Sequence, residues 1–309
     1  MTLTPLVSIV ISTFNRSNIL KYTIATVLKQ TYQHFEIIVI GDHCTDDTQE
    51  VVNSFADDRI SFYNLEENFG EQSYPNNIGF QRSKGELLAW LNHDDLWYPE
   101  HLQVLVDEIS RTDSDLVYSW YLPYNFQQFN RFYNLPVFNE ENKHYPFLTI
   151  PASTWLLKSK LVTEIGLWKS AWEIYNVPSQ NWLGRVYKAG KKITIVNRLT
   201  TIVIHSGCRK DSYLNREESE HEEVFNQMYT AEFRESILTE LCTHMAYRFN
   251  RISLKQYIKN IFKIPLNFLI IKYQLNPNAW FSVFIFKKKG GAVNHYRSVR
   301  GLPHLNRNN

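Results

Sequence analysis

Through its first 120 residues this chain alternates short, continuously apolar runs with segments of helical period, and that alternation limits the folds open to it. Leu6-Val7-Ser8-Ile9-Val10-Ile11-Ser12 is a β-branched run, and Asn15-Arg16-Ser17-Asn18 then supplies a turn and a helix cap. Ile19, Leu20, Ile24, Val27 and Leu28 follow at helical spacing. The pattern repeats: a strand over 35–40, a helix capped by Thr45, a short strand over 59–63 and a helix over 74–83. A strand over 87–91 comes next, then a helix over 99–109 with Pro99 in its first turn, and a strand over 116–120. Repeated βα units with strands this apolar require a mostly parallel sheet covered by helices on both faces, a single Rossmann-like α/β layer.

The sequence that leaves the fourth strand, Asn92-His93-Asp94-Asp95, carries the chemistry. Carboxylates placed directly after a buried parallel strand sit at its carboxyl end, where open α/β sheets bind ligands. They suit a hard divalent cation that also touches substrate phosphates, although the same pair could cap the helix that opens near Pro99. The chain has no Gly-x-Gly and no Gly-Lys-Ser/Thr, which excludes a dinucleotide fingerprint and a P-loop. A nucleotide bound here would have its phosphates held by side-chain carboxylates and a metal.

Other functional classes are excluded by composition. A formal net charge of +2 gives no case for nucleic acid as a partner. The 3 cysteines lack CxxC spacing, so neither a disulfide framework nor a structural zinc is expected, and a reducing cytoplasm fits. The N-terminus lacks the pattern of a signal peptide, and no uncharged apolar run is long enough to span a bilayer.

Beyond residue 121 the pattern dissolves into aromatic and Asn/Gln-rich sequence, expected as a long loop or an antiparallel excursion. A helix near 158–165, a helix through Trp182-Leu183-Gly184-Arg185-Val186, and strands near 193–196 and 199–204 follow. From Asn215 the chain has the pattern of a helical tail, basic and aromatic after Lys255, with its last ten residues expected to be disordered. Its alternation of Ile258, Ile261, Phe262 and Leu266 with Lys255, Lys259 and Lys263 suits a helix lying on an anionic membrane. It suits equally a tail packed on its own domain or on a partner subunit, as in a homodimer.

Several of these segments resemble glycosyltransferase family 2. Residues 7–16 are similar to the family's opening strand and "PTYNR" turn. Gln30-Thr31-Tyr32 followed by Phe35-Glu36-Ile37-Ile38-Val39 resembles its "QTY-x-x-FEIIVVDDGS" segment, with Gly41-Asp42-His43-Cys44 in place of DDGS. Asp46-Asp47-Thr48, Asn77-Ile78-Gly79, Lys84-Gly85-Glu86 and Asn92-His93-Asp94, in the place of the D-x-D, complete the order. The resemblance is close over 5–120 and looser to about 210. It implies a GT-A fold over 1–212, with a nucleotide-binding half (5–120) and an acceptor half (121–212), followed by a helical extension over 213–309. It further implies an inverting transfer of sugar from a nucleoside-diphosphate donor, a UDP-sugar foremost, to a glycan or lipid-linked acceptor. Mn²⁺ or Mg²⁺ would assist, and the enzyme would be cytoplasmic or peripheral at the inner face of the membrane.

Roles carried over from the family fall on named positions. Phe14 would stack on the base, unless it is simply a core aromatic, and Ser12 would contact the nucleoside. Asp42 would accept the base N–H, unless it caps a helix. Arg16, Asn77 and His93 belong to the matched motifs of the nucleotide site. Asp94 would hold the metal between the donor phosphates, with Asp95 assisting it or acting as a cap. His205, after a strand, resembles a late metal ligand of some GT-A enzymes or is structural, and Arg209 with Lys210 would clamp the diphosphate.

The chain departs from the family in ways that matter. Asn92 replaces the first Asp of the D-x-D, at the cost of one acidic contact. The family's general base, an Asp in an "ED" before an L-W-L-R helix, falls within 178–185, where Ser179 and Asn181 stand and no carboxylate does. Glu173, just upstream, is the nearest substitute. Two readings therefore stay open: a working glycosyltransferase, or a catalytically silent member that binds sugar nucleotides or glycans. A two-metal phosphohydrolase lacks the carboxylate and histidine cluster it needs.

Overall fold

The computed structural model describes residues 4–124, 144–145, 148–175, 177–204, 209–215, 220–250 and 288–305, with scattered positions between 258 and 286. The first units follow the sequence pattern: β1 (Val7–Thr13), α1 (Ser17–Leu28), β2 (Phe35–Gly41), α2 (Thr48–Asn53), β3 (Ile60–Asn64), α3 (Ser73–Arg82) and β4 (Leu87–Asn92). There follow β5 (Asp95–Trp97), α4 (His101–Thr112), β6 (Leu116–Tyr124), β7 (Trp155–Lys158), α5 (Lys160–Ile165), α6 (Pro178–Lys188) and β8 (Ile193–Ile204). Helices α7 (Glu220–Gln227) and α8 (Ala231–Asn250) and a C-terminal helix (Gly291–Val299) end the described chain.

All eight strands form one sheet in the order β3-β2-β1-β4-β7-β6-β8-β5. The β3-β2-β1-β4 half is parallel, and β6 pairs with β8 in parallel. Antiparallel pairing enters through β7, between β4 and β6, and through β5 on β8. The mostly parallel α/β sheet is therefore as expected. Neither β5 nor β7 was foreseen, because strands of 3 and 4 residues show no periodicity. The two strands expected over 193–204 are one, with the register against β6 shifting at Trp120 and Tyr121.

Side chains alternate between the faces of the sheet and build a core against each, with a third cluster where Leu96, Leu122 and Ile202 meet Val224 and Ile237. Val7, Ile9 and Ile11 pack with Leu20, Ile24 and Val27 of α1 and Leu102, Leu105 and Ile109 of α4. Val10 on the opposite face packs with Trp90, Trp155, Trp168 and Trp182 and with α5 and α6. Trp90 is the hub there, its ring centroid 4.7 Å from that of Trp168 and 5.2 Å from that of Trp182. α3 lies on this face so closely that a Cβ at Gly79 would stand 2.3 Å from Val10 Cγ1. Only glycine lets the helix approach that strand.

The C-terminal end folds back. Asp211 N–H donates to the Val299 carbonyl (2.7 Å) and Tyr213 N–H to that of Arg300 (3.1 Å). Leu305 exchanges two hydrogen bonds with the Asn294 side chain. The expectation of disorder is thus overturned for 300–305. Local pattern gave no hint, because the contacts that order this end lie up to 229 positions away. Among the described residues no helix is long and apolar enough to cross a membrane.

His101 gives the fold a pH dependence. It is fully buried, stacked on Trp97 at 4.3 Å, with Nδ1 2.7 Å from Thr200 Oγ1. Burial pushes its pKa down to about 3, and burial likewise holds His144 and His221 down at about 4. Unfolded histidine titrates near roughly 6.5, so between that pH and the buried values the unfolded chain binds more protons. The stability from keeping these rings neutral is complete above about pH 6.5 and is lost as pH falls below it. Denaturant midpoints should therefore fall from pH 7 to pH 5, and His101→Gln should lose less over that interval than the native chain. Equal losses would show that His101 does not set this dependence.

Candidate functional site

The register that aligns Thr13 with Gly41 and Ser12 with Asn92 brings the carboxyl ends of β1, β2 and β4 level. Above them lies a cavity of about 370 Å³. Ser12, Phe14, Asp42, His93, Asp94 and Asp95 line it, as do Glu71, Pro178, Tyr213, Tyr296, Arg297 and Arg300. Polar side chains brace the loops that lead into it. Asn15, in the left-handed region at φ 48°, joins Thr45 through Thr45 N–H to Oδ1 (2.7 Å) and Nδ2 to Thr45 Oγ1 (3.1 Å). Asp47 accepts from the Ser17 hydroxyl (2.5 Å), and Asp46 from the Thr48 amide (3.3 Å).

Asp42 is buried at the end of β2, and its two oxygens accept the backbone amides of Phe69 (2.7 Å) and Gly70 (2.8 Å). It shapes the loop after β3 and does not cap α2, whose preceding residue is Asp47.

The two aspartates after β4 have different environments. Asp95 is 1% exposed. It accepts hydrogen bonds from Asn92 Nδ2 (2.9 Å), the Ile204 amide (3.2 Å) and the Ser153 hydroxyl. Burial, then the neighbouring charge of Asp94, raises its pKa well above the carboxylate range. Its oxygens serve the sheet rather than a cap of α4. Asp94 is half-buried, and its carbonyl lies 2.9 Å from Nε2 of the buried His221. His93 lines the cavity floor with Nδ1 3.2 Å from the Ser12 carbonyl, so that nitrogen carries the proton. Burial lowers its pKa and keeps it neutral.

The remaining sequence candidates separate. Phe14 faces Tyr213 with ring centroids 6.2 Å apart, and Arg16 lies beneath that tyrosine at 4.9 Å while donating to the Ser212 carbonyl (2.6 Å). Arg16 is not a cavity residue. Asn77 bridges both backbone groups of Trp168 and fastens α3 to the second half. Arg209 pairs with Glu220 and does not line the cavity. Glu173 is exposed on a turn whose amide bonds Ser170, also away from the lining. Val177 and Pro178 bring the start of α6 to the cavity, and Oδ1 of Asn181 is buried there without a hydrogen-bond partner among the described residues. His205 lies outside the described residues, directly after Ile204.

Four lining groups were missed. Glu71, whose pKa is raised by burial, accepts from Ser73 and Ser170. Arg297 and Arg300 come from a chain segment distant from every motif, and no local signal marks them or Tyr213, three residues after Lys210. Among the described residues no three His, Cys, Asp or Glu side chains converge as a metal cage. Asp94 alone fits a cation that takes most of its ligands from substrate phosphates and water.

Asn92 explains its own departure from an acidic pair. Its amide donates to Asp95 Oδ2, and an aspartate there would set a second carboxylate against a buried one. Losing the donor and adding like charge should cost about 1–3 kcal/mol or more. Asn92→Asp should lower the denaturant midpoint with no change in slope; an unchanged midpoint would contradict this role.

Comparison with known proteins fits this geometry. The family described as Glycosyl transferase family 2 matches residues 8–159. An uncharacterised glycosyltransferase of Rickettsia typhi is 38% identical over 122 residues, 39% of this chain and 37% of that protein. The poly(ribitol-phosphate) beta-N-acetylglucosaminyltransferase TarP of Staphylococcus aureus is 34% identical over 119 residues, 37% of this chain and 36% of that protein. The chain thus matches little more than a third of the length of these relatives. The fold is similar to S. aureus TarS residues 1–349 in complex with UDP-GlcNAc, with a TM-score of 0.55, 16% identity, and coverage of 96% of this chain and 90% of that one. It is similar also to a mannosyltransferase of Pyrobaculum calidifontis in complex with GDP-Man and Mn²⁺, with a TM-score of 0.54, 13% identity, and coverage of 96% and 88%. The braced loops after β1 and β2 and the aspartates after β4 lie inside the matched segment, and residues 8–159 of this chain, within its GT-A fold, are a glycosyltransferase family 2 domain.

Proposed function

We propose that the chain is an inverting glycosyltransferase that moves a sugar from a nucleoside-diphosphate donor, a UDP-sugar foremost, to a hydroxyl of a surface glycan or its lipid-linked precursor. The observation that carries this is the cavity at the carboxyl ends of β1, β2 and β4, with Asp42 at one strand end and Asp94 at another. The donors in the TarS and mannosyltransferase complexes support the substrate class.

In this reading Ser12 and Phe14 hold the nucleoside, and Asp42 accepts from the base while fixing the loop that walls it. Asp94 would hold a divalent cation, Mn²⁺ or Mg²⁺, and such a cation would supply charge stabilisation for the departing diphosphate. The acceptor oxygen forms a bond to the anomeric carbon from the face opposite the diphosphate. The bond from that carbon to the diphosphate oxygen breaks, and its electron pair leaves with the nucleotide. The cavity wall restricts water. The acceptor proton needs a base, and the start of α6, where the family places one, offers Ser179 and Asn181. Glu173 would have to turn inward from its exposed turn to serve.

That vacancy favours a second reading, a silent member that binds sugar nucleotides without turning them over. One experiment separates the two. With Mn²⁺, the chain should bind a nucleoside diphosphate, and Asp94→Ala should weaken that binding at least about tenfold with the circular dichroism unchanged. Unchanged affinity would remove Asp94 from the site. Product from a panel of sugar nucleotides and glycan acceptors supports the enzyme, whereas tight binding with no product supports the silent member.

The extension also supports a peripheral membrane role. Ile258, Ile261, Phe268 and Phe284 are exposed, the last at 84%, and Lys272, Lys288 and Lys289 are exposed nearby in sequence. Such a surface should bind vesicles containing phosphatidylglycerol and release them as salt rises. Equal sedimentation with neutral vesicles would reject an electrostatic membrane contact.

A further inference from the structure

Every arginine or lysine among the residues lining the cavity, Arg297 and Arg300, comes from the C-terminal strap of residues 288–305. The rest of the charged lining is acidic: Asp42, Glu71, Asp94 and Asp95. That wall offers a diphosphate no arginine or lysine of its own. We propose that the strap completes the donor site and that Arg300 contacts the diphosphate of the bound nucleotide. This rests on the reading that the cavity takes a nucleoside diphosphate, and it assigns to Arg300 the clamp expected of Arg209, whose partner is Glu220.

The two arginines divide the work. Arg297 is buried, with Nε donating to the Pro303 carbonyl (2.7 Å) and Nη1 to Asn68 Oδ1 (3.3 Å). It fastens the strap to the loop that Asp42 organises, at the base end of the cavity. Arg300 is half-buried and lies 5.9 Å from the Tyr213 ring, which faces Phe14 at the end of β1. Arg300, Asp94, His93 and Tyr213 line the same cavity, so the guanidinium borders the space that the reading above gives to the phosphates. A planar guanidinium matches two phosphate oxygens at once.

Backbone groups help to seat the strap. Val299 and Arg300 accept backbone amides through their carbonyls, and the Gly290 amide donates to Ile174 (3.3 Å). Gly290 sits at φ +71°, and a Cβ there would meet Trp172 at 2.6 Å, so the strap enters at a position shaped for glycine. These backbone contacts do not involve the Arg300 side chain and remain available when it is substituted.

The test uses the full chain and the tightest binder among UDP, GDP, CDP and ADP, compared with its nucleoside by calorimetry and by ligand-observed NMR. Arg300→Met should weaken the diphosphate at least about tenfold and leave the nucleoside unchanged, with Arg300→Lys intermediate. No loss, or an equal loss for diphosphate and nucleoside, overturns the assignment, since the latter is what a structural role produces. If the native chain binds none of the four diphosphates, the donor reading fails first and this inference falls with it.

Discussion

A buried carboxylate with three protein donors holds the two halves of this molecule in register. Asp95 takes hydrogen bonds from Asn92 on its own strand end, from Ser153 before β7 and from the amide of Ile204 at the end of β8. Each donor belongs to a different stretch of chain, so one side chain fixes where the parallel half meets the mixed half. Removing it would leave buried donors unpaired, each costing about 1–3 kcal/mol. Its neighbour Asp94 is thereby set on the cavity wall.

A second carboxylate does comparable work at the other strand end. Asp42 gathers the amides of Phe69 and Gly70, and that loop in turn receives Arg297 and Leu305 from the C-terminal strap. The order of dependence is therefore sheet register first, loop shape second, strap last. A cavity begun by the first hundred residues is finished by the last twenty or so.

The parts of this architecture visible in the sequence are those set by short-range periodicity. The runs at Val7, Phe35 and Leu87 are apolar on both faces because both faces are covered, and the helices between them show one buried stripe. The motif aspartates were legible because they sit directly after strands, and Asp42 and Asp94 do line the cavity. Asp95 was ambiguous for a physical reason: adjacent acids after a strand look alike until a partner such as Ser153, 58 positions on, distinguishes them. Asn77 and Arg16 carry motif identity yet serve packing, bonding Trp168 and Ser212. Tyr213, Arg297 and Arg300 were invisible because their place depends on a return of the chain that no local pattern records.

The central claim is that the cavity over β1, β2 and β4 is the nucleotide site, with the base toward Asp42 and the phosphates toward Asp94 and the strap. Difference electron density from crystals grown with a nucleoside diphosphate and Mn²⁺ tests it most directly. The account predicts density for the base beside Asp42 and Phe14, and for the diphosphate between Asp94 and Arg300. Density in another groove, or a nucleotide lying in the reverse direction within this one, would contradict it.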